Sequence, residues 1–319
     1  MPRFIRTTAV VAGFGLMAVA VAACTPVESG DGSDYPNDDI RLVIQADAGG
    51  GSDLSSRALA AELEKTLGVS VIPENMPGAS GAKAMEYIAA QEPDGYTIGF
   101  APVEIAMLNT TQGADVLPEN YDFLGQIMNA PGVIAVGADS GIETLDDLIA
   151  KGESGAVTVS NSGAGSIWEA ASLGFADAAG IEVSPVPYDG GAPAVSAAAS
   201  GEVVASVSGV GEALAQKDSV NILAVLDEER HPELPDVPTA NEELGADDVV
   251  FGGWGGIYAP AGLPDGVHDA LEAAVNSAVE SDSYTQFQAD AGNLVVYRSA
   301  DEHAQFVEEQ FTRFQELLG

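Results

Sequence analysis

The stretch Ile40-Arg41-Leu42-Val43-Ile44-Gln45-Ala46-Asp47-Ala48-Gly49-Gly50-Gly51-Ser52-Asp53 decides how the chain is read. Ile40 to Ile44 has the near-continuous apolar character of a buried strand. The glycines follow at once, and from Leu54 to Leu67 the apolar residues recur at helical spacing. A strand that turns through glycines into a helix leaves the first N–H groups of that helix unpaired at the strand's carboxyl end. With the partial positive charge of the helix terminus, they make a place for an anion. The same residues also serve a plain tight turn, with glycine supplying positive φ and Ser or Asp capping the helix.

Outward from this point the construction repeats. Ser160-Asn161-Ser162-Gly163-Ala164-Gly165-Ser166 again joins a strand, Val157 to Ser160, to a helical stretch, Ile167 to Ala179. Further strand patterns fall at Val69 to Ile72, Tyr96 to Phe100, Val133 to Val136, Val203 to Val207 and Ile222 to Leu226. Helical ones fall at Thr144 to Lys151 and Ala192 to Ser200. Such alternation predicts an α/β fold with largely parallel sheets and helices on both faces. From Pro264 to the C-terminus the pattern is helical, with Pro264 and Asp265 as a start signal and Asp301 as the expected cap of the last helix. Two donor-rich turns from separate halves suggest a cleft that grips one ligand from both sides.

At the N-terminus, Arg3 and Arg6 precede an apolar run, Ala9 to Ala23, that ends in Val21-Ala22-Ala23-Cys24. The run is short for a bilayer span and reads as a signal peptide over 1–23. The small residues before the only cysteine form a lipobox pattern, so Cys24 is the expected lipidation site, and a lone cysteine excludes an intrachain disulfide. Residues 24–39, rich in Gly, Ser, Asp and Pro, read as a flexible tether.

The formal net charge is −38, and loss of Arg3 and Arg6 with the leader lowers it by two to −40. No basic footprint exists for nucleic acid. Acids spread along the whole chain fit a protein that works in strong salt, where screening shortens self-repulsion. His231, His268 and His303 sit in polar stretches that read as exposed, without metal-ligand spacing. Neither a Gly-x-Ser-x-Gly elbow, a Walker loop nor a Gly-x-Gly-x-x-Gly fingerprint occurs, so no cofactor, no metal and no catalytic group is expected.

Eight motifs in register resemble the substrate-binding receptors of tripartite tricarboxylate transporters, the TctC or Bug receptors. They are Tyr35-Pro36; Gly49 to Asp53 with Arg57; Pro73 to Gly81; Pro93-Asp94-Gly95-Tyr96-Thr97; Ser160 to Ser166; Pro187-Tyr188-Asp189-Gly190-Gly191; Arg230 with Leu234 to Thr239; and Trp254 before Ala259-Pro260-Ala261-Gly262. The resemblance implies a two-lobed fold of the type II periplasmic-binding-protein kind: lobe 1 over 40–132, lobe 2 over 133–250, and a return to lobe 1 over 251–319. Crossings are expected near Gly132 to Val136 and Val249 to Trp254. It implies a monomeric, extracytoplasmic lipoprotein that holds a small carboxylate between the lobes and delivers it to membrane permease subunits. A sensory receptor signalling to a membrane histidine kinase is the alternative, since it would share fold and closure, and an enzyme ranks third.

The ligand contacts implied are Gly49, Gly50, Gly51, Ser52, Asp53, Ser160, Asn161, Ser162, Gly165 and Ser166, with Asp189 as further lining and Tyr188 and Trp254 either walling the ligand or packing the hinge core. Several positions depart from the family pattern. Gln45 and Ala46 replace a proline and an aromatic, Asp189 stands where a lysine is common, and Glu104 where a small or hydroxyl residue is expected. If these face the cleft, citrate is a poor ligand and a mono- or dicarboxylate or an amine-bearing acid fits better. A solvated surface acid is the plainer reading of Asp189 and Glu104.

Overall fold

The computed structural model describes residues 35–319; the signal segment, Cys24 and most of the tether lie outside the described residues. In chain order the first sheet receives β1 (Ile40–Ile44), α1 (Gly51–Leu67), β2 (Val71–Asn75), α2 (Ala82–Ala89), β3 (Thr97–Pro102), α3 (Leu108–Gln112) and β4 (Tyr121–Met128). The second receives β5 (Gly132–Gly137), α4 (Leu145–Glu153), β6 (Val157–Asn161), α5 (Ile167–Ala179), β7 (Val183–Pro187), α6 (Gly191–Ala199), β8 (Ala205–Gly209), α7 (Val210–Leu214), β9 (Val220–Leu226) and α8 (Ala240–Leu244). Then β10 (Gly255–Pro260) returns to the first sheet, followed by α9 (Asp265–Val279), α10 (Asp282–Asp290) and α11 (Ala300–Leu318).

The strand orders are β2-β1-β3-β10-β4 and β7-β6-β8-β5-β9. Both sheets are mixed, where sequence alone suggests largely parallel ones. β10 runs antiparallel to β3 and β4, and β5 antiparallel to β8 and β9. The reason is topological. β5 and β10 are each the first strand laid down after the chain crosses between sheets, so they enter at the end where the neighbouring strands leave. No crossover helix has brought the chain back to the far edge.

Alternation along the strands sends side chains to two cores. Leu42, Leu124 and Ile257 pack with Leu59 and Leu63 of α1 and Leu271 and Val275 of α9. Their neighbours Val43, Phe123 and Tyr258 pack on the opposite face with Met85 and Ile88 of α2 and Val307 and Phe314 of α11. Burial on both faces is what the unbroken apolar run at Ile40 demanded. β7 tolerates Pro185 and Pro187 because it is an edge strand, paired only with β6.

Two antiparallel segments join the sheets. Ala130 N–H donates to Gly253 O at 3.2 Å, Gly253 N–H to Ala130 O at 2.9 Å, and Gly132 N–H to Phe251 O at 2.8 Å. A third segment, 294–298, pairs with β4 through Asn129 to Leu294 and Gln126 to Arg298, covering that edge. At the final helix, Ser299 forms a capping box with Glu302, so Ser299 is the cap rather than Asp301. Two histidines also depart from expectation. His231 and His303 are buried, the latter fully, with its ring edge-on to Phe123 and Trp254.

Candidate functional site

The turns after β1, β3, β6 and β8 lie at the carboxyl ends of parallel strands, where open α/β sheets bind ligands. The first turn is built for open donors. Gly49 has φ of +89°, a conformation glycine adopts without strain, and its N–H donates to the Asp53 carboxylate at 2.8 Å. Asp53 is 2% exposed and also accepts from Arg57 Nε and from Asn75 Nδ2, each at 2.8 Å. Burial alone would raise the Asp53 carboxyl. The Gly49 N–H, the Asn75 amide and Arg57 together hold it below its ordinary range. Asp53 therefore locks the loop from beneath. No side chain caps α1 at Gly50, which leaves the first-turn N–H groups of Gly51 and Ser52 facing the exposed surface of the loop.

The second glycine turn differs. Asn161 Oδ1 accepts from Gly163 N–H at 3.0 Å, Glu169 Oε2 from Gly165 N–H at 2.5 Å, and Gly163 O from Ser166 N–H at 3.2 Å. Ser166 caps α5 by accepting from Glu169 N–H at 3.3 Å. Ser160 is buried and donates to Ala194 O at 2.7 Å. Most donors of this turn are thus paired within lobe 2, and Ser162 stays partly exposed. One polar end remains. Asn161 is fully buried and its Nδ2 has no partner. In lobe 1, Gln45 donates to Ser52 Oγ at 3.1 Å while its buried Oε1, an acceptor, is unpartnered. The second turn comes near lobe 1 at α3, where a β-carbon at Gly165 would lie 3.7 Å from Thr111.

The remaining sequence-derived positions spread out. Asp189 is exposed. The Tyr188 ring packs on Ala197, Ala198 and Val203. Trp254 is 4% exposed and packs edge-on to His303 and Phe306 in the core beside the crossing segments. Its neighbour Gly253 lies against Trp168, which also abuts Gly132 and Gly209, so Trp168 forms the floor where the lobes join. Neither Trp168 nor Glu212 stood out in the sequence. The signal for Glu212 was its place after β8, matching that of Glu104 after β3. Burial raises both carboxyls, and Glu104 is no solvated surface acid.

A pocket of about 1100 Å³ lies between α11, segment 294–298 and residues 227–232, and Trp254 is among its lining residues. Its cations are engaged: Arg313 with Val250 O and Asp248 O, Arg230 with Glu242, and Arg298 with Gln126. Among the described residues no group of three or more His, Cys, Asp or Glu is placed to hold a metal ion. No helix among them is long and apolar enough to cross a membrane.

Residues 55–319 match the family model of the tripartite tricarboxylate transporter family receptor. A solved TctC solute-binding protein from Polaromonas is 26% identical, with a TM-score of 0.80 over 89% of this chain and 98% of its own. A Rhodopseudomonas palustris protein solved with adipate is 26% identical, with a TM-score of 0.77 over 89% and 97% of the two chains. MatC of the same organism, solved with malate, is 26% identical with a TM-score of 0.75 over 89% and 100%.

Proposed function

The chain belongs to the tripartite tricarboxylate transporter receptor family, and on that premise we propose that it is an extracytoplasmic solute-binding protein that captures a small carboxylate for membrane permease subunits. The observation that carries this reading is the loop from Gly49 to Asp53, where a buried, fully paired Asp53 holds open an uncapped helix terminus in front of a second lobe. Relatives solved with malate and adipate support the ligand class. Backbone donors explain how an anion docks on a chain of net charge −38. The helix terminus acts at contact distance, while salt screens the distant acids.

In this reading the ligand carboxylate sits on Gly50, Gly51 and Ser52, with Asn161, Ser162 and Gly165 closing from the other lobe. Asp53, Ser160 and Ser166 hold the two loops in shape. Anchoring through lipidated Cys24 keeps the receptor at the outer face of the membrane, and the function is binding rather than catalysis. The test is to denature the purified protein, identify released acids by mass spectrometry, and titrate them back by calorimetry with scattering alongside. Capture of a carboxylate with a smaller radius of gyration supports the proposal. A protein that binds no carboxylate overturns it.

A further inference from the structure

We propose that the ligand carries a cationic nitrogen as well as a carboxylate, and that Glu104 and Glu212 select for it. The inference rests on the receptor reading above and names the ligand class of that cleft.

Glu212 lies in the turn that leaves β8. Its carboxyl oxygens fill the space over two glycines: a β-carbon at Gly191 would lie 2.8 Å from Oε1, and one at Gly209 2.5 Å from Oε2. The Trp168 ring comes within 3.3 Å of that same Gly209 position, so carboxyl and indole meet on the cleft floor. Glu104 occupies the corresponding turn after β3 in lobe 1. Its neighbour Val103 donates to Trp254 O at 3.0 Å, and Gly253 touches Trp168, which ties this turn to the same floor.

Neither glutamate carboxylate has an arginine or lysine partner among the described residues. Both glutamates are half-buried, and desolvation without a counter-charge raises both carboxyls. A ligand of two carboxylates and nothing else would bring like charge into this space. An ammonium would supply the missing partner and could lie on the indole face, a favourable place for a cation.

The complementary end of the cleft supplies donors. The first turn of α1 is uncapped, and the fully buried Asn161 leaves Nδ2 unpartnered. Gln45, 8% exposed, has its Nε2 committed to Ser52 Oγ and keeps only the acceptor Oε1 unpartnered, so the donors on the lobe 1 side are the helix N–H groups alone. Donors for a carboxylate and acceptors for an ammonium thus line one cleft, the chemistry of a zwitterion.

The test uses the intact protein and calorimetry with two matched pairs, γ-aminobutyrate against glutarate and δ-aminovalerate against adipate. The expected result is that the amine member of at least one pair binds about tenfold or more tightly than its partner, a difference of about 1.4 kcal/mol. Glu104→Gln and Glu212→Gln, isosteric changes made separately with folding verified by melting, should each shrink that preference without weakening the dicarboxylate. Dicarboxylates that bind at least as well as the amines overturn the inference and leave the receptor reading standing, as does a preference unchanged in both variants. If neither class binds and no acid is released on denaturation, both fail.

Discussion

Gly49 N–H donates to the Asp53 carboxylate at 2.8 Å, so the residue that opens the donor loop is held by the first turn of the helix it precedes. The bond consumes one donor of the loop to fix the rest. Substituting Asp53 by Asn keeps the shape but removes the charge shared by Gly49, Arg57 and Asn75. The expected cost is about 2–3 kcal/mol of stability, the scale of hydrogen bonds to a charged group. Because the folded carboxyl titrates below its ordinary range, its contribution is present above the unfolded pKa and is lost as pH falls through the folded one. Urea denaturation near neutrality and at pH values below the ordinary aspartate range should therefore show wild type and Asp53→Asn converging in acid. A constant gap would count against the assignment.

Ser166 and Glu169 give the second prediction. Sequence alone left Ser166 as either a ligand hydroxyl or an N-cap, and its oxygen accepts from Glu169 N–H. Ser166→Ala should cost about 1 kcal/mol of stability, the usual value of a cap, and leave carboxylate affinity within a factor of about two. A variant of normal stability that loses binding would move Ser166 into the ligand shell.

How much of this was legible beforehand follows from what each signal measures. Apolar runs and glycine turns mark β1, α1, β6 and α5 because burial on both faces and a positive-φ turn leave composition signatures. The strands β4, β7 and β10 carry Gly125, Pro185 and Gly255, which break such runs, and only pairing in the sheet explains them. The glycine motifs located both turns, but not the difference between them. That difference depends on Glu169 reaching back to Gly165, a return that the Ser166-x-x-Glu169 spacing offers but that the sequence reading did not use. Glu104 was visible as a departure, yet its partial burial was not, because a chain with 49 acids gives every carboxylate a surface reading. His303 failed for the same reason: its sequence neighbours Asp301 and Glu302 are exposed while the ring points inward.

His303 supplies a pH prediction. Its ring is fully buried with both nitrogens unpartnered, and burial, then the nearby Arg298, push it down to about 3. The unfolded chain takes up this proton near the ordinary histidine value, so between there and about 3 the unfolded state binds more protons. Stability must fall with falling pH across that window, by up to ~1.4 kcal/mol per pH unit from this group. His303→Leu, which removes the titrating ring, should flatten that part of the profile. Denaturation midpoints from pH 7 to pH 4 with identical slopes in the two proteins would refute the link.

Charge on the whole chain leads to a salt prediction. At −38, long-range repulsion acts against the compact state, and only four Lys or Arg ion pairs with acids are present among the described residues. Raising ionic strength from about 0.01 M to 1 M shortens the screening length from about 30 Å to about 3 Å. The melting temperature should rise steeply over that range, in sodium chloride as in potassium chloride. A flat response would remove self-repulsion as a determinant of stability.

Arg313 tests the crossing between the lobes. From α11 its guanidinium donates to Val250 O at 2.8 Å and Asp248 O at 2.7 Å, and its Cζ lies 4.3 Å from the Phe251 ring centre. These carbonyls lead into the return segment that pairs with Ala130 and Gly132, so the C-terminal helix clamps one of the two strands about which the lobes would move. Arg313→Ala removes two charge-assisted bonds and a cation–π contact, together about 2–3 kcal/mol. Arg313→Lys should recover little, because an ammonium cannot span both carbonyls while stacking on the ring. If the clamp also sets the angle between lobes, ligand affinity in Arg313→Ala should fall at temperatures where the variant is still fully folded, and scattering should show a wider distribution of sizes without ligand. Full affinity alongside reduced stability would confine Arg313 to holding α11 in place.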